Sequence, residues 1–330
     1  MSASLRLSVL LAVCLLLATG LSLFAGGGNI GLHSLSGLLA GDATLDVLIL
    51  GELRLPRVLL GVLVGAGLGG AGAVLQGFFR NPLADPGIVG VSASAGLGAV
   101  TALYFGLASL FALALPLAGV AGAALGVVGL FAIAGRGASA TTLILAGVAV
   151  NAMAGALTAL LMNLAPNPWA LAEIAYWLMG SLKDASWNEV AFAAPLILPG
   201  LGVLMMTGRG LETLSLGEDT ARSLGVDLGR LRLTVVAGAA LAVGGGVAVA
   251  GAIGFVGLVV PHLLRPLVGY RPAGLILPSM LGGALLIVLA DLLVRLMSGP
   301  GMPLYLGVLT ALIGAPFFLW LVRATQRVAP

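Results

Sequence analysis

The residues of this chain whose types could do chemistry are concentrated in one polar segment, residues 208–232. The segment holds four arginines and four carboxylates: Arg209, Arg222, Arg230, Arg232, Glu212, Glu218, Asp219 and Asp227. Charges of both signs at this spacing suit ion pairs and contact with another protein, because no paired catalytic carboxylates or nucleophile elbow accompany them. The segment therefore predicts a docking surface, through which a chain with almost no soluble mass would take energy from a partner.

The sequence contains no motif for nucleotide hydrolysis or for metal binding. The chain has no G-x-x-x-x-G-K-[ST] phosphate loop, so ATP hydrolysis would belong to a separate subunit. His33 and His262 are too far apart to predict a metal site, and the single cysteine, Cys14, permits no internal disulfide. We expect no enzyme activity, no metal and no cofactor bound by this chain.

Three arginines lie at the ends of apolar runs. Arg54 and Arg57 precede one run, and Arg295 ends another, four residues after Asp291. From the residues alone, we predict interfacial guanidinium groups and a pair between Asp291 and Arg295 within one helix.

A second set of polar side chains falls inside an apolar run. Residues 141–164 carry an unusual polar load for a lipid-surrounded helix: Thr141, Thr142, Asn151, Thr158 and Asn163. We predict that this helix faces a cavity. The alternative is that each hydroxyl bonds back to a carbonyl of its own helix.

The elements that position these groups are membrane spans. Hydrophobic residues make up 60% of the chain, charged residues 8%, and the mean hydropathy is +1.17, values far outside the range of soluble domains. Because a bilayer core needs about 20 apolar residues per helix, we predict an all-α membrane protein of ten spans, forming one domain over residues 1–330. The predicted spans are residues 6–24, 55–75, 88–106, 110–134, 141–164, 190–207, 231–250, 253–268, 274–297 and 304–322. Pro261 predicts a broken helix in the eighth.

The basic residues predict the topology. With an uncleaved, cytoplasmic amino terminus, ten spans place eleven basic residues inside and four outside, in agreement with the positive-inside rule. The inside set is Arg6, Arg80, Arg136, Arg209, Arg222, Arg230, Arg232, Arg265, Arg271, Arg323 and Arg327, and the outside set is Arg54, Arg57, Lys183 and Arg295. Both termini and the polar segment are therefore predicted to be cytoplasmic. The scattered positive charges do not indicate nucleic-acid binding.

Small residues predict close helix packing. One face of the second span carries a small residue at every fourth position: Gly61, Gly65, Gly69, Ala73 and Gly77. Residues 64–74 of this span also resemble residues 237–247 of the seventh. Because the two segments are five spans apart, they would run in opposite directions, as an inverted repeat requires.

Four stretches are more specific than any of these patterns. They are RLPR at 54–57, LQGFFRNPLADPGIVGVS at 75–92, LSLGEDTARSLGV at 214–226 and GAIGFVGLVVPHLLR at 251–265. In this order they resemble the FecCD-type permease family, the transmembrane subunits of ABC importers for iron-siderophores, haem and cobalamin. Residues 306–321 are similar to that family's last span, so the resemblance runs from near residue 50 to the carboxyl terminus.

The resemblance implies a type II importer permease in the bacterial inner membrane. Its partners would be a second permease copy, two cytoplasmic ATPase subunits that use ATP and Mg, and a periplasmic substrate-binding protein. It implies that the loop at about 208–232 couples to the ATPase through Ser215, Leu216, Gly217, Glu218, Asp219, Ala221, Arg222, Leu224 and Gly225. We expect Leu214, Leu216 and Leu224 to enter an ATPase groove, and Glu218 to pair with Arg222 near a helix start.

The same resemblance implies roles for the other polar residues. Arg54, Arg57 and Arg295 would receive acidic residues of the binding protein. In the fifth span, Thr141 and Thr142 would form a cytoplasmic gate, and Asn151 and Thr158 would line the path. Residues 167–180 predict a short external helix, whose Trp169, Tyr176 and Trp177 either anchor it among lipid headgroups or form a vestibule below the binding protein.

Our functional hypothesis is the permease subunit of an ABC importer for a metal chelate, with an iron-siderophore ahead of haem and cobalamin. The alternative is a secondary transporter driven by an ion gradient. That class needs intramembrane carboxylates, and Asp291 is the single candidate. A scaffold or channel would leave the polar segment unexplained.

Overall fold

The computed structural model of the chain describes residues 2–25, 30–42, 44–111, 113–135, 137–299 and 303–326. Within these ranges the protein is all-helical, with fifteen α-helices and no β-strand, which confirms the predicted fold class. The helices are α1 Ala3–Phe24, α2 Leu32–Ala40, α3 Leu45–Leu48, α4 Leu55–Phe78, α5 Val91–Tyr104, α6 Ala114–Ala134, α7 Ala140–Asn163, α8 Pro168–Leu178, α9 Trp187–Met206, α10 Gly208–Leu214, α11 Glu218–Ser223, α12 Leu228–Ala250, α13 Val256–Leu264, α14 Pro272–Met297 and α15 Leu306–Gln326.

Each of the ten predicted spans contains a helix. Seven described helical segments are long and apolar enough to cross a membrane: α1, α6, α7, α9, α12, α14 and the continuous segment Leu45–Phe78, which includes α4. The third and tenth predicted spans hold α5 and α15, whose described apolar stretches are shorter. The eighth holds only the nine-residue α13.

The eighth span is broken, as predicted, but the break precedes Pro261. The chain is non-helical after α12, and Phe255 adopts a left-handed conformation with φ of 67° before α13 begins. Pro261 itself is tolerated inside α13. Because proline has no N–H, the carbonyl of Gly257 loses its helical donor. This carbonyl instead accepts a hydrogen bond from Gln76 Nε2 at 3.3 Å.

α4 is the central helix of the molecule and is buried along most of its length. Its small residues allow the backbone of α14 to approach: a Cβ added at Gly65 would lie 2.7 Å from Ala284 Cα, and one at Gly69 would lie 2.9 Å from the carbonyl carbon of Ser279. These separations leave room for hydrogen but not for a methyl group. The predicted close packing of this face is therefore confirmed.

Contacts between helices give their relative directions. Along α4 and α12 the touching positions run in opposite order, since Gly246 faces Val64 and Gly67 faces Ala242. The two segments that resemble each other are therefore antiparallel, as an inverted repeat requires. In contrast, α1 and α14 run parallel, because Ser4 contacts Gly274 and Ser22 contacts Arg295.

The polar segment and the arginines Arg54, Arg57 and Arg295 lie at opposite ends of α14. Arg271, just before α14, pairs with Glu212 of the polar segment, whereas Arg295 lies in its last turn. A helix of 26 residues is about 39 Å long. We call these the polar-segment end and the arginine end.

Residues 30–54 contain structure that the sequence analysis did not predict. α2 and α3 are followed by a π-helical turn, Ile49–Arg54, which continues directly into α4. Trp187 Nε1 donates to the carbonyl of Gly51 at 3.0 Å and so ties this region to the start of α9. Arg136 and Arg327, two arginines of the predicted inside set, lie outside the described residues.

Candidate functional site

The polar segment folds into two short helices that follow α9. α10 begins directly after Thr207, and α11 begins after Gly217, whose φ of 108° favours glycine. Leu211 and Leu214 of α10 are buried in the core, and so is Ala221 of α11. These buried side chains fix both helices to the body of the protein.

The turn after α11 returns the chain to a membrane span. Gly225 is left-handed with φ of 84°, and the N–H of Val226 donates to the carbonyl of Ala221 at 3.0 Å. Asp227 then caps α12 by accepting from the N–H of Arg230 at 3.0 Å. A glycine ending one helix and an aspartate starting the next make the connection short, so α11 and α12 are held close together.

The charges of α11 are arranged as predicted. Arg222 lies 3.6 Å from Glu218 and 3.3 Å from Asp219, both of which occupy the first turn of the helix. The Arg222 side chain is 60% exposed and that of Asp219 fully exposed. Exposed pairs of this kind contribute at most about 1 kcal/mol, so these charges remain available to a partner protein.

Two leucines supply the apolar part of this surface. Leu216 is 64% exposed and Leu224 is 60% exposed, although both are large apolar residues. The expectation that Leu214 joins them is wrong, because it is 3% exposed and packs into the core. Ser215 is exposed and Gly217 half-buried. The predicted docking surface therefore comprises Leu216, Leu224 and the charges of α11, and we use this name for it below; its role in binding a partner stays a prediction.

α10, which precedes the docking surface in the chain, is tied to α14. Arg271 donates through Nε and Nη2 to one carboxylate oxygen of Glu212, at 3.2 and 3.0 Å. Because Glu212 belongs to α10, this pair joins α10 to the start of α14.

An arginine cluster, Arg54, Arg57 and Arg295, lies at the opposite end of α14. Arg57 donates to both carboxylate oxygens of Asp291 at 2.8 to 3.1 Å. Arg295 Nε lies 3.5 Å from Asp291 Oδ2, which confirms the predicted pair within α14. The Asp291 side chain is 4% exposed and those of Arg57 and Arg295 are each 16% exposed. One buried carboxylate thus balances two guanidinium groups.

The arginine cluster also holds the end of α1. Arg54 Nη1 donates to the carbonyl of Leu23 and Arg295 Nη2 to that of Ser22, each at 2.8 Å. The last carbonyls of a helix have no partner within it, so the guanidinium groups satisfy them. The cluster consequently joins α1, α4 and α14 at one end of the molecule.

The role of this cluster in docking stays a prediction. Arg54 is only 7% exposed and, like Arg57 and Arg295, it is engaged within the chain. The Arg57–Asp291 contact joins residues 234 positions apart, and sequence spacing did not reveal it. The predicted topology could have indicated this pair, because it places Arg57 and Asp291 near the same membrane face and a charge inside a span needs a partner.

α7 carries the predicted path residues on an exposed face. Thr141, Thr142 and Asn151 are exposed in the single chain, and Thr158 is half-buried. The Thr142 hydroxyl contacts Ser139 Oγ at 3.0 Å rather than a carbonyl of its own helix. This face is therefore open to whatever surrounds the chain.

A cleft of about 680 Å³ opens beside α8 at the arginine end. Trp169, Tyr176 and Trp177 line it, and Tyr176 stacks on Tyr305 with ring centres 5.7 Å apart. α8 itself lies within the range predicted for a short helix. Glu173 and Asp184, which no sequence pattern marks, also line the cleft and add charge to its wall.

The loop after α4 is organised by Asp85. Its Oδ1 accepts from the N–H of Gly87 at 2.8 Å and so starts the 3₁₀ turn Pro86–Val89. Burial raises the pKa of the Asp85 carboxyl above its ordinary value, and this hydrogen bond acts in the opposite direction. Among the described residues, no group of three histidine, cysteine or acidic side chains is placed to hold a metal ion.

Comparison with known proteins gives consistent matches along most of the chain. The model of the FecCD transport family matches residues 13–324. The cobalamin import system permease protein BtuC of Halobacterium salinarum is 43% identical over 277 residues, which cover 83% of this chain and 73% of that protein. The hemin transport system permease protein HmuU of Yersinia pestis is 38% identical, covering 96% of this chain and 95% of that protein.

Two further matches are a third related permease and a solved structure. The Fe(3+)-citrate import system permease protein YfmD of Bacillus subtilis is 36% identical and covers 98% of this chain and 96% of that protein. A solved structure, described as an inward-facing conformation of a metal-chelate type ABC transporter, superposes with a TM-score of 0.84 at 33% identity. The superposition covers 97% of this chain and 99% of that one.

Proposed function

We propose, from the premise that this chain belongs to the FecCD transport family, that it forms the membrane path of an ATP-driven importer of metal chelates. It is a multi-pass permease subunit of an ABC transporter, as its relatives are. The observation that supports a mechanism is the docking surface on α11. Exposed leucines lie there beside charges of both signs, and buried side chains connect this surface to the spans.

An ATPase subunit would bind this docking surface from the cytoplasm. ATP and Mg would belong to that subunit, because this chain lacks a phosphate loop. Leu216 and Leu224 would enter its groove, while Glu218, Asp219 and Arg222 set the register at the rim. Ser215, Gly217 and Gly225 shape the turns on either side of α11, and Ala221 anchors it.

Movement of the docking surface would be passed to the spans. α10 is joined to α14 by the Glu212–Arg271 pair and is packed into the core through Leu211. α11 is connected to α12 by a short turn. Closure of two ATPase subunits would therefore displace α12 and α14 around the central α4, and this rocking would open the path alternately to each side.

A second copy of the chain would complete the path. Hydroxyl and amide groups exposed to lipid would lack hydrogen-bond partners, which favours a hydrated path beside the polar face of α7. Thr141 and Thr142 would then form the cytoplasmic gate, and Asn151 and Thr158 would line the path.

The arginine end would face the periplasm, with both termini in the cytoplasm and the protein in the inner membrane. The distribution of basic residues supports this orientation. A substrate-binding protein would dock at the arginine end, over the arginine cluster and the cleft beside α8. Acidic residues of that protein would contact the exposed parts of Arg57 and Arg295.

The substrate would be a metal chelate, and the candidates are an iron-siderophore, haem and cobalamin. The relatives named above carry cobalamin, hemin and Fe(3+)-citrate at similar identities to this chain, which supports the class without ranking its members. The test is reconstitution of the permease with its ATPase and binding protein, followed by ATPase measurement with a panel of iron-siderophores, haem and cobalamin. We expect one chelate to stimulate hydrolysis, and stimulation by none of the panel would contradict the proposed substrate class.

The coupling role has a matched control within the polar segment. Glu218→Gln and Arg222→Gln should lower the stimulation of ATPase activity by the loaded binding protein, while docking of that protein at the other end is unchanged. Asp227→Asn and Arg230→Gln remove a similar exposed pair, 3.4 Å apart, that lies outside α11. Equal loss of stimulation in both pairs of variants would contradict a specific role for α11.

A further inference from the structure

A small basic pocket lies beside the polar segment, where α4 ends and α14 begins. Its volume is about 220 Å³, and Gln76, Arg80, Ser215, Arg265 and Tyr270 contribute to its wall. The transport mechanism above assigns no role to this pocket.

Arg265 is held rigidly in the pocket wall. Gln76 is 1% exposed, and its amide nitrogen donates to the carbonyls of Gly257 at 3.3 Å and Leu258 at 3.2 Å. The amide oxygen of Gln76 is therefore fixed in position, and it accepts a hydrogen bond from Arg265 Nη2. The remaining guanidinium N–H groups of Arg265 are left for other acceptors.

The pocket carries positive charge that the described part of the chain does not neutralise. Arg80 is exposed, and neither Arg80 nor Arg265 forms an ion pair with a carboxylate of the described residues. Glu212 is already paired with Arg271, and the lining residues include no acidic side chain. Two guanidinium groups around a small cavity favour a phosphate or another oxyanion, which accepts several charge-assisted hydrogen bonds at once.

The surroundings of the pocket are those of a membrane interface. Leu263 and Leu267 flank Arg265 on the chain and are 55% and 57% exposed, and they lie one helical turn apart. Tyr270 is 69% exposed, and tyrosine is enriched where a bilayer meets water. Basic pockets between membrane helices are known to bind phospholipid headgroups.

We propose that this pocket binds the headgroup phosphate of an anionic phospholipid, with the acyl chains along the exposed leucines beside Arg265. The guanidinium groups of Arg80 and Arg265 provide the charge and the hydrogen bonds. The Ser215 hydroxyl donates to the carbonyl of Glu212, so its contribution is limited to accepting. The proposal depends on the pocket and the membrane surface alone, and it holds whichever chelate the protein carries.

The test is native mass spectrometry of the full-length chain with phosphatidylglycerol or phosphatidylcholine, and with glycerol 3-phosphate as a competitor. We expect phosphatidylglycerol to bind more tightly than phosphatidylcholine, and Arg80→Gln and Arg265→Gln each to weaken its binding about tenfold, because each removes charge-assisted hydrogen bonds to the phosphate. Arg6→Gln is the matched control, because Arg6 is exposed at the same end and does not line the pocket. Its binding should equal that of the wild type.

Two results would overturn the proposal. One is an equal loss of phosphatidylglycerol binding in Arg6→Gln and Arg80→Gln, which would indicate general surface attraction. The other is displacement of the lipid by glycerol 3-phosphate at equal concentration, which would mean that the acyl chains contribute nothing and the ligand is a soluble phosphate. Unfolding temperatures distinguish a loss of binding from misfolding. In phosphatidylcholine nanodiscs, Arg80→Gln should unfold at the same temperature as the wild type. It should lose only the rise in unfolding temperature that phosphatidylglycerol gives the wild type.

Discussion

Replacement of Asp291 by asparagine should destabilise the protein strongly. The Asp291 carboxylate is 4% exposed, accepts three hydrogen bonds from Arg57 and lies 3.5 Å from Arg295. Asparagine keeps the shape of this side chain but leaves two guanidinium groups, each in a side chain 16% exposed, without a counter-charge. Removal of one partner from a buried ion pair costs about 3–5 kcal/mol, and we expect a loss in this range.

The measurement is the free energy of unfolding in mixed micelles, followed by circular dichroism during titration with a denaturing detergent. Asp219→Asn is the matched control, because it removes an aspartate–arginine pair at 3.3 Å in which the aspartate is fully exposed, and it should leave the free energy of unfolding almost unchanged. A double-mutant cycle of Asp291→Asn with Arg57→Met should give a coupling energy of about 2 kcal/mol. If Asp291→Asn and Asp219→Asn were equally stable, the carboxylate would not neutralise the arginine cluster.

Three further predictions concern packing and partners. Gly69→Ala places a methyl group against the backbone at Ser279 and should lower the free energy of unfolding by about 1–3 kcal/mol. Gly202→Ala is the control, because nothing lies within 4 Å of its new methyl group and it should have no such cost. Equal free energies of unfolding for the two variants would contradict the packing of α4 on α14. Leu224→Asp should weaken binding of the ATPase in pull-down titrations without lowering the unfolding temperature, since this leucine is 60% exposed, and unchanged binding would exclude it from the docking surface. Arg57→Gln should reduce binding of the substrate-binding protein and make that binding less dependent on salt, whereas the control Lys183→Gln at the same end should not. Arg57→Lys keeps the charge and should retain docking. If Arg57→Lys lost as much binding as Arg57→Gln, the effect would come from folding and not from charge.

Much of the fold could be predicted because membrane spans leave a strong local signal. The apolar runs, the four-residue spacing of small residues in α4 and the charge distribution all act over one or two helices. The pair of Glu218 and Arg222 was likewise predictable, since residues four apart on a helix are neighbours.

The features missed from the sequence depend on distant contacts. The fork between Arg57 and Asp291 joins two helices, and Leu214 is buried because α10 packs against the spans rather than extending toward a partner. The helices in residues 30–54 are too short to give a span signal. The sequence predicts a break of the eighth span at Pro261, whereas this proline remains helical and Gln76, on another helix, donates to the carbonyl that it leaves without a helical donor.

ATP-driven import is tested directly by chelate uptake into proteoliposomes that contain the permease, its ATPase and the substrate-binding protein. We expect uptake that requires ATP on the side of the ATPase and stops with a hydrolysis-deficient ATPase, while an imposed proton or sodium gradient alone gives none. Uptake that persists without the ATPase, or that follows the ion gradient, would contradict it.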